Sequence, residues 1–198
     1  MKLDVCLNSI EKKDGVVPKW AGLIKRWNQL DGEAFAVAQA SYDNREFIGK
    51  PSLIVFTSME GSAPTDCDFV NSSKVSPAFF VHTLPNVRAM SLSLIIEQES
   101  RVLCLSRGEK SLISCIDQFY KLSQNQQDVL LVATKKVDHN YECDFYKLNG
   151  STGRHDWSIS TDGIGNKVGN DFEFRTQILK NSAISITLPA QLTIRPIY

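Results

Sequence analysis

Three short runs constrain this chain more than anything else in it: residues 52–59 (SLIVFTSM), 101–106 (RVLCLS) and 128–135 (DVLLVATK). Each has the length of a strand and strings apolar residues together without alternation, the pattern of a parallel strand covered on both faces. On this reading RVLCLS is buried on both faces. Helix-prone segments lie between such strands, so the expected class is α/β. The unit 101–135 reads as strand, helix, strand with a right-handed crossover.

Composition narrows the choice of partner. Of 198 residues, 22 are Lys or Arg and 22 are Asp or Glu, so the formal charge is zero. Phosphate neutralisation needs a clustered basic excess, and its absence argues against nucleic acid and against a polybasic membrane surface. At 42% hydrophobic residues the chain has enough apolar material for one globular domain spanning 1–198. Cys6, Cys67, Cys104, Cys115 and Cys143 are odd in number and show no CxxC spacing, which fits buried thiols in a reducing compartment and gives no zinc signature. The opening MKLDVCLNSIEKKD is broken by Asp4 and Asn8, so it reads as a strand and not as a signal peptide. The apolar stretch 76–96 carries His82, Pro85, Asn86 and Arg88, too polar for a bilayer core. A cytoplasmic protein without membrane insertion is expected.

Residues 2–7 read as a strand. Residues 20–30 read as a helix, with Trp20, Leu23, Ile24, Trp27 and Leu30 at helical spacing. Asp31 is placed to cap an Ala-rich helix over 33–42. The polar stretch 60–76 reads as a loop with one turn of helix. Ser106-Arg107-Gly108-Glu109 matches a capping box, and the helix it opens carries Leu112, Cys115, Ile116, Phe119 and Leu122 on one stripe. Residues 141–148, 172–179, 183–188 and 191–197 all read as strands or extended segments, making 140–198 a β-rich extension of the same domain. The glycine-rich segment 149–171 reads as a long loop or flap.

A strand that runs into a capped helix leaves free amides at Gly108 and Glu109, the arrangement used for nucleophiles and oxyanion holes. A catalytic reading needs Cys or Ser at that turn. Ser106 is read as the cap, and Glu109 puts negative charge where a thiolate would form. Cys104, between Leu103 and Leu105, and Cys115, on the apolar stripe, read as core thiols. His82, His139 and His155 are far apart in sequence and read as solvated or structural. The run Gly163-Ile-Gly165-Asn-Lys-Val-Gly169 is not G-x-G-x-x-G and lies in a polar loop, so it is no nucleotide site. Neither a metal nor a cofactor is expected.

The segment Ser76-Pro-Ala-Phe-Phe-Val-His-Thr-Leu-Pro-Asn-Val-Arg-Ala-Met-Ser-Leu-Ser-Leu resembles the β-ketoacyl synthase stretch S-P-x-x-F…T-L-P-N-x-x-A-x-x-I-S. The following RVLCLSRGEKSLISC and DVLLVAT resemble that family's nucleophile strand, central helix and D-x-A-L-V-G-G strand, so the likeness covers about 60 residues, 76–136. It implies half of a thiolase-like fold, a mixed sheet of βαβ type with helices. It also puts Gly108 where the family has its active cysteine, and Glu99-Ser100 where the family has G-P before the strand. The two catalytic histidines (or His and Asn) of a ketosynthase come from a second half that has no counterpart in the resemblance.

Ketosynthase relatives without the cysteine are chain-length factors, and short proteins of that kind are associated with aryl polyene biosynthesis. The resemblance therefore implies a non-catalytic subunit that heterodimerises with an active β-ketoacyl synthase, shapes its acyl pocket in polyene or fatty-acid-type elongation, and meets acyl carrier protein indirectly. It assigns Val102, Leu103, Cys104, Leu105, Asn86 and Met90 to the partner interface, and Phe79, Phe80, His82 and Thr83 to the acyl pocket. The residues also admit a small acyl-thioester transferase or hydrolase using Cys104, Ser106 or Cys67 with a histidine, and a homo-oligomeric structural protein of the same fold.

Overall fold

The three apolar runs lie side by side. β3 (Leu53–Ser58) is flanked in parallel by β4 (Arg101–Leu105) and β5 (Val129–Val137), with Val55 opposite Leu103 on one side and Leu131 on the other. A tight turn at Asp138, whose φ of 52° is left-handed, sends the chain back as β6 (Asn140–Leu148), antiparallel to β5. Beyond β6 the sheet continues through β1 (Lys2–Cys6), β7 (Asp156–Ser160), β10 (Gln191–Pro196), β9 (Ile184–Thr187) and β8 (Asn166–Val168). The order is β4-β3-β5-β6-β1-β7-β10-β9-β8, and the short β2 (Ser9–Glu11) also pairs with β6. The computed structural model describes residues 2–12, 15–58, 63–71, 86–122, 128–148, 156–161, 165–187 and 191–196.

Because side chains alternate along a strand, this sheet has two buried faces. On one, Val55, Leu131, Tyr146 and Leu3 pack under α5 (Ser111–Leu122), through Leu112, Cys115, Ile116 and Phe119, and under α6 (Asp171–Leu179), through Phe174 and Ile178. On the other, Ile54, Phe56, Leu130, Val132 and Phe145 meet α1 (Gly32–Asp43), α2 (Arg45–Ile48) and α4 (Asn86–Ile96). The helix α3 (Ala63–Asn71) lies between β3 and α4 in the chain. Helices on both faces of a mixed sheet are what the unalternating strands required.

The α1 start shows how local chemistry fixes a helix. Asp31, in extended backbone, accepts from the Ala34 amide at 2.6 Å. Its carboxylate also faces the buried Arg88 of α4 at 3.6 Å, and Arg88 pairs with Glu33 as well, so α1 and α4 are tied by charge as well as by packing. At Gly32, the first helical residue, the Tyr141 ring occupies the space a Cβ would need.

Several expectations are corrected. Residues 20–30 do not form an α-helix: successive turns and a 3-10 helix at Trp27–Gln29 carry them, with Gly22 early in the segment and Arg26 left-handed at φ 62°. The apolar spacing is still used, since Trp20 and Ile24 are buried against Phe35 and Ile95. Residues 172–179 are not a strand but most of α6, where Phe174 and Ile178, four apart, face the core. The segment 149–171 is no simple loop, since β7 and β8 fall within it. The stretch 60–76 holds the nine residues of α3, more than one turn. RVLCLS is not buried on both sides: β4 ends the sheet order, and Leu103 is 46% exposed. The remaining strands of the C-terminal third extend the same sheet.

Candidate functional site

The turn between β4 and α5 is the place at which a catalytic reading of the sequence needs a nucleophile. Gly108 occupies it with φ 60°, a left-handed conformation open to glycine and strained for other residues, though a Cβ there would meet no atom within 4 Å. The expected capping box does not form the start of the helix. α5 begins at Ser111, whose hydroxyl accepts from the Arg107 amide at 2.7 Å and lies 2.8 Å from the Gly108 carbonyl. The cap comes from a distant part of the chain: the Asp171 carboxylate accepts from the amides of Leu112 at 2.8 Å and Ile113 at 3.0 Å. The Asp171 amide in turn donates to the Glu109 carbonyl at 2.7 Å. Burial raises the Asp171 pKa, while the hydrogen bonds from Leu112, Ile113 and Ser111 pull it down. The positive end of the α5 dipole is thus already matched to a carboxylate.

Below this turn, at the carboxyl ends of β3 and β5, a cavity of about 350 Å³ opens between the sheet and the heads of α5 and α6. Its walls include Thr57, Leu112, Ala133, Tyr146, Asp171 and Phe172. One wall is an ion network: Arg175 donates to Asp144 at 2.7 Å and pairs with Glu142 at 2.9 Å, and Asp144 also accepts from the Asn8 amide at 2.9 Å. Burial pushes the Asp144 carboxyl up to about 6, against the opposing pull of Arg175 and Asn8. Burial, reinforced by Asp144, also holds the Tyr146 phenol well above its ordinary value. The Lys135 ammonium lies 5.2 Å from the centre of the Phe172 ring.

The second feature is the β4 edge. Leu103 is 46% exposed there, and on α4 beside it Met90 and Leu94 are 53% and 45% exposed. A shallow groove of about 720 Å³ runs along this side, lined by Leu23, Met90, Leu94 and Val102 among others. Val102 and Cys104 are half-buried against the α4 side of the sheet, and Leu105 packs toward α5. Among the described residues no strand pairs with the outer edge of β4, and an open apolar edge is a template for a second strand.

The remaining candidates are dispersed. Phe79, Phe80, His82, Thr83 and His155 lie outside the described residues, and Asn86 is the first residue of α4. His139 is exposed in the β5–β6 turn, and Cys67 is exposed on α3. Burial raises the Cys104 thiol and pushes Cys115 up to about 12. Sequence reasoning missed Asp171, Asp144, Arg175 and Tyr146. A signal existed for two of them: in Tyr-Glu-Cys-Asp-Phe-Tyr, residues 141–146, the period of two places Glu142, Asp144 and Tyr146 on one face. Among the described residues, no group of three or more His, Cys, Asp or Glu could hold a metal ion, and no helix is long and apolar enough to cross a membrane.

No family model and no curated protein matches the sequence. Among solved structures, the chain is similar to a chain of the ketosynthase (ApeO) in complex with its chain length factor (ApeC) from Xenorhabdus doucetiae. The TM-score is 0.65 at 12% identity, over 98% of this chain and 99% of that one. It also matches 3-oxoacyl-(acyl carrier protein) synthase III from Pseudomonas aeruginosa PAO1 at TM-score 0.42 and 14% identity, over 89% of this chain and 62% of that one. The first likeness, together with the layered mixed sheet, defines the class: the chain has a thiolase-like ketosynthase fold, α/β, with a β-rich C-terminal third.

Proposed function

We propose that this chain is a non-catalytic, chain-length-factor-like subunit that heterodimerises with an active β-ketoacyl synthase and shapes its acyl pocket. The observation that carries the reading is the head of α5. Where a ketosynthase-like fold needs a thiolate, this chain has Gly108, and the nearby helix amides are taken by Asp171. A nucleophile needs both a side chain and a site that favours its anion. The alternative of a transferase or hydrolase using Cys104 gains no support from that thiol, which burial holds in the protonated form.

The partner assignment draws on the β4 edge, where Leu103 and Met90 stand exposed, and on the likeness to a structure that contains both a ketosynthase and its chain length factor. Coverage of nearly all of both chains means that the matched chain has about the extent of this one. In this reading Val102, Leu103, Cys104 and Leu105 supply the paired strand, Asn86 and Met90 flank it, and Phe79, Phe80, His82 and Thr83 approach the acyl channel. Acyl carrier protein is met through the partner. The product class, aryl polyene or fatty-acid-type chains, follows from the resemblance.

The test is co-expression with a β-ketoacyl synthase from the same genome, followed by size exclusion with light scattering and by a condensation assay with malonyl-carrier protein. The expected result is a 1:1 heterodimer that condenses and an isolated chain that does not. A chain that turns over malonyl-carrier protein alone, or that never associates with the ketosynthase, would overturn the proposal.

A further inference from the structure

The cavity at the carboxyl ends of β3 and β5 has a feature that the partner reading leaves unused. Tyr146, on its wall, is fully buried, and its phenolic oxygen makes no hydrogen bond. A buried hydroxyl left unpaired is destabilising, and native structures retain few of them without a reason. The ring is held in place by packing, with Phe174 at 5.9 Å between centroids, and by its pairing position opposite Leu131.

The surrounding charges are already matched. Arg175 is held by Asp144 and Glu142, and Asp171 caps α5. Lys135 rests over the Phe172 ring. Glu109 stands at the exposed rim; deeper in, among the described residues, an incoming ion would find each charge of the wall already engaged, whereas Leu112, Ala133 and Phe172 offer apolar wall. At about 350 Å³ the space lies at the small end of ligand sites and far exceeds one water, whose share is roughly 30 Å³.

We propose that this cavity binds a small uncharged molecule with an apolar body and one carbonyl group, the carbonyl accepting a hydrogen bond from the Tyr146 phenol. The phenol is the donor because its proton is firmly held, and a neutral ligand avoids desolvating a charge that has no partner. The site is independent of the β4 edge, so its occupancy and the partner assignment stand or fall separately.

The test uses the full chain and fluorine NMR with two probes of nearly equal shape, 4-fluoroacetophenone and 4-fluorotoluene. Only the first has a carbonyl. The expected result is binding of the ketone about fivefold or more tighter than the toluene, the worth of one hydrogen bond. Tyr146→Phe keeps the ring and should erase that preference while leaving 4-fluorotoluene binding unchanged. Ala133→Leu, which fills the space, should weaken both probes. A thermal melt checks that each variant is folded, and Ala133→Val, a smaller addition at the same wall, replaces Ala133→Leu if that variant is not. Failure of the wild type to bind either probe, or a ketone preference that survives Tyr146→Phe, would overturn the proposal.

Discussion

The carboxylate of Asp171 accepts a hydrogen bond from the backbone amide of Leu112 at 2.8 Å, joining two residues 59 positions apart in sequence. Its other oxygen takes the amide of Ile113. One aspartate from the start of α6 therefore closes the head of α5. Asp171→Ala should lower stability by about 1–2 kcal/mol, the usual worth of a helix cap, and Asp171→Asn by less because one acceptor survives. Urea denaturation of the two variants checks the order.

Gly108→Cys should not create an activated thiol. The position has room for a side chain, but its left-handed backbone is strained for one, and the neighbouring cap already sets a negative charge against the helix dipole. Peptide-resolved mass spectrometry of iodoacetamide labelling against pH should return an apparent pKa at or above about 8.5, the free-thiol value. A midpoint below about 7 would mean that the helix head still stabilises anions.

Asp144 should give the protein a pH-dependent weakness. Its folded pKa, about 6, lies above its ordinary 3.8, so between those values the folded protein keeps a proton that the unfolded chain has released. Stability from this group is therefore complete below about pH 4 and is lost as pH rises through about 6, a change of roughly 3 kcal/mol. Asp144→Asn carries no such ionisation. The stability difference between variant and wild type, measured by denaturant titration at pH 4 and pH 7, should shift in favour of the variant toward pH 7. A difference that stays constant across that range would contradict the assignment.

The strands β3 and β5 were legible because parallel strands buried on both faces leave unbroken apolar runs, and both have them. The edge role of β4 was not legible from its own residues, since Arg-Val-Leu-Cys-Leu is as apolar as a central strand; the family resemblance supplied it. The α6 error was one of competing signals. Phe172, Phe174 and Ile178 favour strand by residue type, yet Asn170 accepts from the Glu173 amide at 2.9 Å and Glu173 accepts from the Gly169 amide at 2.6 Å, a capping arrangement present in the sequence as Asn-Asp-Phe-Glu. At Ser106 to Glu109 the same spacing was overread, because tertiary structure brought Asp171 to the helix instead. The cavity was out of reach: Tyr146 and Asp171 meet only through the packing of α6 on the sheet.

The most direct test of the partner account is Leu103→Arg, assayed by copurification with the ketosynthase. Leu103 is half exposed in the isolated chain, so arginine there should leave the monomer folded, with an unchanged circular dichroism spectrum and melting temperature. At a paired and desolvated strand it would bury an unmatched charge, at a cost of several kcal/mol, and each 1.4 kcal/mol is about tenfold in affinity. The matched control is Lys180→Glu, at an exposed position just after α6, which should change affinity by no more than a few-fold. The account predicts that Leu103→Arg loses the ketosynthase while Lys180→Glu retains it; a folded Leu103→Arg that copurifies as well as wild type would contradict it.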